Sequence, residues 1–116
     1  MRISRNNITI HFQSSRILIV MLKAEGLQLS VACLYAPHEE VLLPTPTVWW
    51  EDTNKIHGEF LSRYQTIYFI DANAQTRRSI PGLVGDFFHK QAKGLTHNRF
   101  SNFIKRLDLV AVNTFF

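Results

Sequence analysis

Two apolar, β-like runs of this 116-residue chain end in short polar strings, and this arrangement limits the folds open to it. Residues 27–35 lead into Tyr35-Ala36-Pro37-His38, and residues 66–70 lead into Asp71-Ala72-Asn73-Ala74. A helical pattern separates the two runs, and strands that alternate with helices favour an α/β fold. In such folds, polar and reactive side chains collect at the carboxyl ends of strands. The sequence therefore predicts that the two strings meet at one edge of a sheet.

The composition fits a globular domain and says little about its partner. Hydrophobic residues make up 46% of the chain, and the formal net charge of +4 favours a polyanionic partner only slightly. The single cysteine, Cys33, excludes an internal disulfide. Because Cys33 alternates with apolar residues, we interpret it as a small core residue. One cysteine and five scattered histidines do not have the spacing of a zinc site.

The sequence predicts neither a secretory leader nor a membrane span. Residues 1–15 are polar and basic, unlike a signal peptide. The apolar run 17–22 is far too short to cross a bilayer. We therefore expect an intracellular protein without a membrane partner, and the sequence leaves its compartment and oligomeric state open.

Five strands are predicted from the hydrophobic pattern. Residues 17–22 are apolar on both faces, as in a central strand buried on both sides. Glu25-Gly26 has the composition of a turn that joins this strand to the next. The predicted strands are residues 8–12, 17–22, 27–35, 66–70 and 109–112.

Two amphipathic helices are predicted, with Thr47 and Asn98 as their N-caps. The apolar stripe of the first helix consists of Trp49, Thr53, Ile56, Phe60 and Tyr64. The apolar face of the second consists of Phe100, Phe103, Ile104 and Leu107. The helical spacing favours a core position for Trp49, whereas stacking on nucleic-acid bases is the alternative for Trp49 and Trp50.

The order of these elements resembles the endonuclease/exonuclease/phosphatase superfamily, and most of all the apurinic-endonuclease-like domains of LINE-type retrotransposons. The motifs that carry the resemblance are Tyr35-Ala36-Pro37, Asp71-Ala72-Asn73 and the final Val112-Asn113-Thr114-Phe115. The resemblance extends from Ile8 to Phe116 and matches only the central part of the family's domain. It implies an α/β fold: a truncated DNase I-like four-layer αββα sandwich, with residues 1–116 forming a single partial domain.

The resemblance also implies roles for four residues. Tyr35 matches the family's tyrosine that contacts the scissile phosphate, and His38 lies where the family has Asn or His. Asp71 matches the aspartate that orients or deprotonates the attacking water, and Asn73 matches the asparagine that holds the phosphate and this aspartate. The implied ancestral activity is nicking of DNA with Mg²⁺ or Mn²⁺.

Departures from the family pattern predict that the chain does not cleave DNA. Ile70 replaces the glycine that precedes the family's aspartate, which crowds the site. The family's early asparagine, its metal-binding glutamate and its Ser-Asp-His motif have no counterpart here. Because Mg²⁺ is held by carboxylates, we expect this chain not to bind the metal. The abrupt strand-rich start and the apolar Phe115-Phe116 end lead us to expect a fragment.

The segment 76–106 is rich in lysine and arginine, as a groove for a DNA backbone is. A solvated loop and helix face have the same composition. The predicted nucleic-acid contacts are Arg77, Arg78, Lys90, Lys93 and Arg99.

Other interpretations of the motifs stay open. Asp-x-Asn after a strand is a common turn sequence, because both side chains bond to nearby backbone. His38 beside Glu39-Glu40 equally fits a solvated loop. Three functions follow: an inactive fragment of a DNA-nicking endonuclease, a non-catalytic nucleic-acid-binding or structural remnant, or a fragment of a phosphoinositide or small phosphate-ester phosphatase.

A truncated sandwich predicts one uncovered sheet face. Two packed sheets cover each other's inner faces, so a fragment with one sheet leaves apolar side chains without partners. The residues expected on that face are Leu18, Val20, Leu29, Val31, Ile67 and Phe69.

Overall fold

The computed structural model describes residues 2–38, 45–74, 80–86 and 95–115, in which four strands form one mixed sheet. The strands are β1 (Ile8–Gln13), β2 (Ile17–Ala24), β3 (Leu27–Tyr35) and β4 (Gln65–Asp71), in that order across the sheet. β2 pairs antiparallel with both β1 and β3, whereas β4 pairs parallel with β3. The prediction of an α/β fold and of these four strands is confirmed.

Two helices accompany the sheet, α1 (Thr45–Glu59) and α2 (Leu95–Arg106). Both begin earlier than predicted, so Thr47 and Asn98 lie inside the helices and are not their N-caps. Pro46 is tolerated in the first turn of α1 because its missing N–H has no helical acceptor there. No helix in the described ranges is long and apolar enough to cross a membrane.

The chain divides into two compact units. The first consists of Met1–Ala36 and Val48–Asp71 and contains the whole sheet and most of α1. The second consists of Pro37–Thr47 and Ala72–Phe116 and contains α2.

In the first unit, α1 packs on one face of the sheet, called here the covered face. Ile19 of β2 and Ala32 of β3 are register partners on this face, and both are fully buried. From the helix, Trp49, Trp50 and Thr53 are buried. The core position predicted for Trp49 is therefore confirmed, and the burial of both indoles excludes their stacking on bases.

The opposite face, called here the open face, remains partly exposed. It consists of the alternate strand residues that pair with one another across the sheet, and all six residues expected on an uncovered face belong to it. Phe69 and Ile67 are 61% and 47% exposed. Its members are Ile8, Ile10, Gln13, Leu18, Val20, Leu22, Ala24, Leu27, Leu29, Val31, Cys33, Tyr35, Gln65, Ile67, Phe69 and Asp71.

The open face corrects two predictions. Cys33 is exposed and not a core residue, because the alternation of β3 directs it away from the face that α1 covers. β2 is not buried on both faces: Ile17, Ile19 and Met21 are buried, whereas the residues between them are only half-buried. An apolar run predicts a strand but not which of its faces will be covered.

In the second unit, the strand predicted over residues 109–112 is not formed. Asp108 ends α2 in the left-handed region, with φ of +54°, and the Leu109 N–H donates to the Ile104 carbonyl at 3.0 Å. This is a helix C-cap, so the first residue of the predicted strand closes the helix. Ala111 forms an isolated bridge with Val84, and Val112–Thr114 then turn as a 3₁₀ helix.

A hydrogen bond between the His57 ring and the Tyr68 hydroxyl joins α1 to β4. Burial lowers the pKa of His57 below its ordinary value of 6.5, and burial raises the pKa of Tyr68 above its ordinary value of 10.0. The folded protein therefore holds both groups neutral more strongly than the unfolded chain does.

These two pKa shifts predict that stability falls at both ends of the pH scale. Below about pH 6.5 the unfolded chain binds the His57 proton more readily, so the free energy of unfolding decreases as pH falls. Above about pH 10 the unfolded chain loses the Tyr68 proton more readily, so stability decreases as pH rises. Thermal midpoints from pH 5 to 11 should show both declines; His57→Gln should flatten only the acid one and Tyr68→Phe only the alkaline one. Declines that are unchanged in both variants would contradict this assignment.

Candidate functional site

Tyr35 and Asp71 lie opposite one another at the carboxyl ends of β3 and β4. They are register partners in the parallel pair, and the Ala36 N–H donates to the Asp71 carbonyl at 2.8 Å, which extends the pairing by one residue. Because partners in register point to the same side of a sheet, both side chains belong to the open face. The predicted adjacency of the two strands is therefore confirmed, and the phenol and the carboxylate lie at the same edge.

Arg16, which the sequence analysis missed, contacts Tyr35 from the loop between β1 and β2, one residue before β2 begins. Its guanidinium lies 4.8 Å from the centre of the Tyr35 ring, within cation–π range. The Tyr35 N–H donates to the Arg16 carbonyl at 2.9 Å, and Arg16 Nη1 donates to the Tyr35 carbonyl at 3.5 Å. The edge therefore presents a cation beside the phenol of Tyr35. A cation is the group that can neutralise the charge of a phosphate oxygen.

The sequence of the β2–β3 hairpin could have predicted that Arg16 lies opposite Tyr35. The two-residue turn leaves Ala24 paired with Leu27, and counting outward from that pair brings position 16 opposite position 35. Gly26 permits this tight turn because its φ of +73° lies in the left-handed region that favours glycine.

An open depression of about 250 Å³ adjoins Arg16 and Tyr35. The loop between β1 and β2 forms one wall with Ser14 and Ser15, and Phe69 of β4 belongs to the apolar side. Ser14 Oγ accepts the Ile17 N–H at 3.1 Å, which holds this loop against the start of β2. The depression thus combines hydroxyl and guanidinium groups with an exposed aromatic ring.

The other two predicted catalytic residues, His38 and Asn73, belong to the second unit. His38 is exposed, and Asn73 is half-buried with φ of +44°. Asparagine tolerates this left-handed conformation better than most residues, as expected for a turn. Asn73 therefore lies in a bend directly after β4, and its backbone conformation fits the turn interpretation of Asp71-Ala72-Asn73 as well as the catalytic one.

Of the predicted nucleic-acid contacts, only Arg99 belongs to the described part of the chain. Its Nη2 donates to Thr47 Oγ1 at 2.8 Å, and the residue is half-buried. This arginine therefore joins α2 to the first turn of α1 within the second unit. Arg77, Arg78, Lys90 and Lys93 lie outside the described residues.

No three of the His, Cys, Asp and Glu side chains in the described residues lie close enough together to share a metal ion. Asp71 supplies one carboxylate to the edge. Together with Arg16 and Tyr35, the described edge has groups that can contact a phosphodiester: a cation, a hydroxyl donor and a carboxylate for a water molecule.

Comparisons of the chain with protein-family models, with curated proteins and with solved structures found no match.

Proposed function

We propose that the edge formed by Tyr35 and Asp71 is half of a phosphodiester-cleaving site, derived from a DNA-nicking endonuclease of the endonuclease/exonuclease/phosphatase type. The observation that carries the proposal is the pairing of these two residues at the ends of adjacent parallel strands. Carboxyl ends of strands are where α/β folds bind their ligands. Two separate motifs, 36 positions apart, therefore present their reactive side chains at one place.

The chemistry of the edge supports binding of a phosphodiester. The Arg16 guanidinium supplies positive charge beside Tyr35, and charge-assisted hydrogen bonds to phosphate are stronger than neutral ones. The Tyr35 hydroxyl is a donor on a side chain that is 42% exposed. In this proposal the Asp71 carboxylate orients a water molecule at a phosphate held by the other two groups.

Cleavage needs more than these three groups. Metal-dependent phosphodiesterases stabilise the attacking and leaving oxygens with a divalent cation, which carboxylates hold. If Mg²⁺ or Mn²⁺ binds this edge, Asp71 is the residue that would contact it, and the metal would supply charge for the leaving oxygen. One carboxylate is a poor site for a hard cation, so the proposed function is binding without appreciable cleavage.

The open face supports the proposal that the fold is part of a DNase I-like sandwich. In a DNase I-like αββα sandwich, a second sheet covers the face opposite the helices, and the uncharged strand residues of the open face suit that packing. The phosphoinositide or small phosphate-ester alternative uses the same edge and differs only in substrate. The basic composition of the chain favours DNA.

We expect the chain not to nick supercoiled plasmid in the presence of Mg²⁺ or Mn²⁺. The reason is that the described residues place one carboxylate at this edge, and a single carboxylate is too weak a metal site to stabilise the leaving oxygen. The measurement is conversion of supercoiled to open-circular DNA, compared with the Asp71→Ala variant prepared in the same way. Nicking by the unmodified chain that disappears in Asp71→Ala would contradict the half-site and would mean that the metal is held by other residues.

A further inference from the structure

The apolar part of the open face, away from the corner formed by Tyr35 and Asp71, is a feature of the first unit that the proposed function does not use. Its centre consists of apolar residues from all four strands, including Ile10, Val20, Val31 and Ile67. Large exposed apolar patches on soluble proteins mark interaction surfaces.

We propose that a second copy of this chain covers the open face, so that the protein is a homodimer in which two sheets pack face to face. The two copies would be related by a twofold axis, and the same residues would meet on both sides, as in the commonest class of oligomer. Two sheets pack in this way when their inner faces are apolar and their strands are aligned to within about 30°.

The area of the face fits a small dimer interface. Four strands about 4.8 Å apart and about seven residues long give a flat footprint of about 450 Å² on each copy. Two copies would therefore cover about 900 Å² of flat area, and more accessible surface than that because the side chains project from the sheet. Specific interfaces begin at about 1,000–1,200 Å² in total, so the area suffices for association at moderate affinity.

The charge distribution on the open face favours a second copy of the same face as its binding partner. Within the four described strands, Asp71 is the only charged residue that points to the open face, and it lies at one corner. The Arg16 guanidinium, from the loop before β2, lies over the Tyr35 ring at the same end of the sheet. Two identical faces can therefore meet without like charges in the centre. A nucleic acid, in contrast, requires a basic surface.

The polar residues at the ends of the face suit the rim of such an interface. Gln13 pairs with Leu18 at one end of the hairpin, and Gln65 pairs with Leu29 at the other end of the sheet. Tyr35 and Asp71 lie at a corner, so the proposed phosphodiester site would remain at the rim. The assembly would have the layers helix, sheet, sheet, helix, with one pair of layers from each copy.

The test is the mass of the chain in solution, compared between a variant in the face and a matched control. Ile67→Lys introduces a charge at a position on the face that is 47% exposed, and Val48→Lys introduces the same charge at a position of α1 that is 45% exposed. Sedimentation equilibrium should give twice the chain mass for the unmodified protein and for Val48→Lys. Ile67→Lys should weaken association by about a hundredfold or more, because the lysine would be buried without a partner.

A second measurement tests the unmodified protein directly. Cys33 is the only cysteine of the chain and belongs to the open face. Its alkylation rate should fall as protein concentration rises, and the rate in a folded Ile67→Lys should not depend on concentration. A monomer at every soluble concentration, a dimer that survives Ile67→Lys with Cys33 still reactive, or open-ended aggregates would each overturn the proposal.

Discussion

Replacing Ile19 by alanine is expected to destabilise the chain by about 2–5 kcal/mol. Ile19 is fully buried on the covered face, where its register partner is Ala32, and its neighbours on the same strand, Ile17 and Met21, are also buried. Removing its outer carbons loses the free energy gained by burying them away from water. It also leaves a cavity, because the surrounding structure relaxes only partially. The net stability of a domain is about 5–15 kcal/mol, so this single change would unfold much of a marginal protein.

Urea denaturation followed by tryptophan fluorescence measures this loss, because Trp49 and Trp50 are buried in the same unit. The control is Ile3→Ala, at a residue that is 47% exposed and outside the sheet, where a change within about 0.5 kcal/mol is expected. Equal midpoints for the two variants would mean that the covered face is not the core of this unit.

At concentrations at which the chain is monomeric, we expect thermal unfolding below about 65 °C, the upper end for ordinary mesophilic domains, and binding of the hydrophobic dye ANS by the folded state. Apolar surface left in water forfeits about 25 cal/mol per Å², so a few hundred Å² of open face forfeits several kcal/mol. That amount is comparable to the net stability of a whole domain. Among the described strands, β1 and β4 form the edges of the sheet, and such edges should also promote aggregation on heating.

The dye signal should come from the open face itself. Phe69→Lys should therefore lower ANS fluorescence, since Phe69 is 61% exposed at the end of that face, whereas Val48→Lys should leave it unchanged. A cooperative transition well above 65 °C in a soluble monomer that binds no dye would show that the open face contributes no instability.

The four strands of the sheet, and the adjacency of β3 and β4, could be predicted because alternation and turn chemistry are local signals. Period-two alternation identified residues 27–35, and Glu25-Gly26 fixed the antiparallel pairing of β2 with β3. The helix between β3 and β4 then required a crossover between parallel strands, which brought Tyr35 beside Asp71. The position of Arg16 follows from the same hairpin register.

The predictions that were wrong concern features that depend on tertiary structure. Whether Cys33 is buried depends on which face of the sheet α1 covers, and alternation alone does not distinguish the two faces. Residues 109–112 have the composition of a strand, but the C-cap of α2 takes the Leu109 N–H. The helix starts were misplaced because a polar residue near a helix start fits both the cap and the first turn.

The central claim is that a phosphodiester binds at the edge formed by Tyr35 and Asp71. The most direct test measures the affinity for a labelled oligonucleotide by fluorescence anisotropy, in EDTA to remove metal ions. It compares the unmodified chain with two charge-neutralising variants. Asp71→Asn and Glu25→Gln each remove one negative charge, but Glu25 lies in the turn at the other end of β3, about 30 Å from Tyr35. A bound phosphate within about 4 Å of the Asp71 carboxylate experiences a repulsion of about 1 kcal/mol in water. Removing that repulsion should tighten binding about fivefold. Glu25→Gln should change the affinity by less than about twofold, because salt screens charges beyond about 8 Å. The same change in affinity for both variants, or no binding by the unmodified chain, would contradict the proposed site.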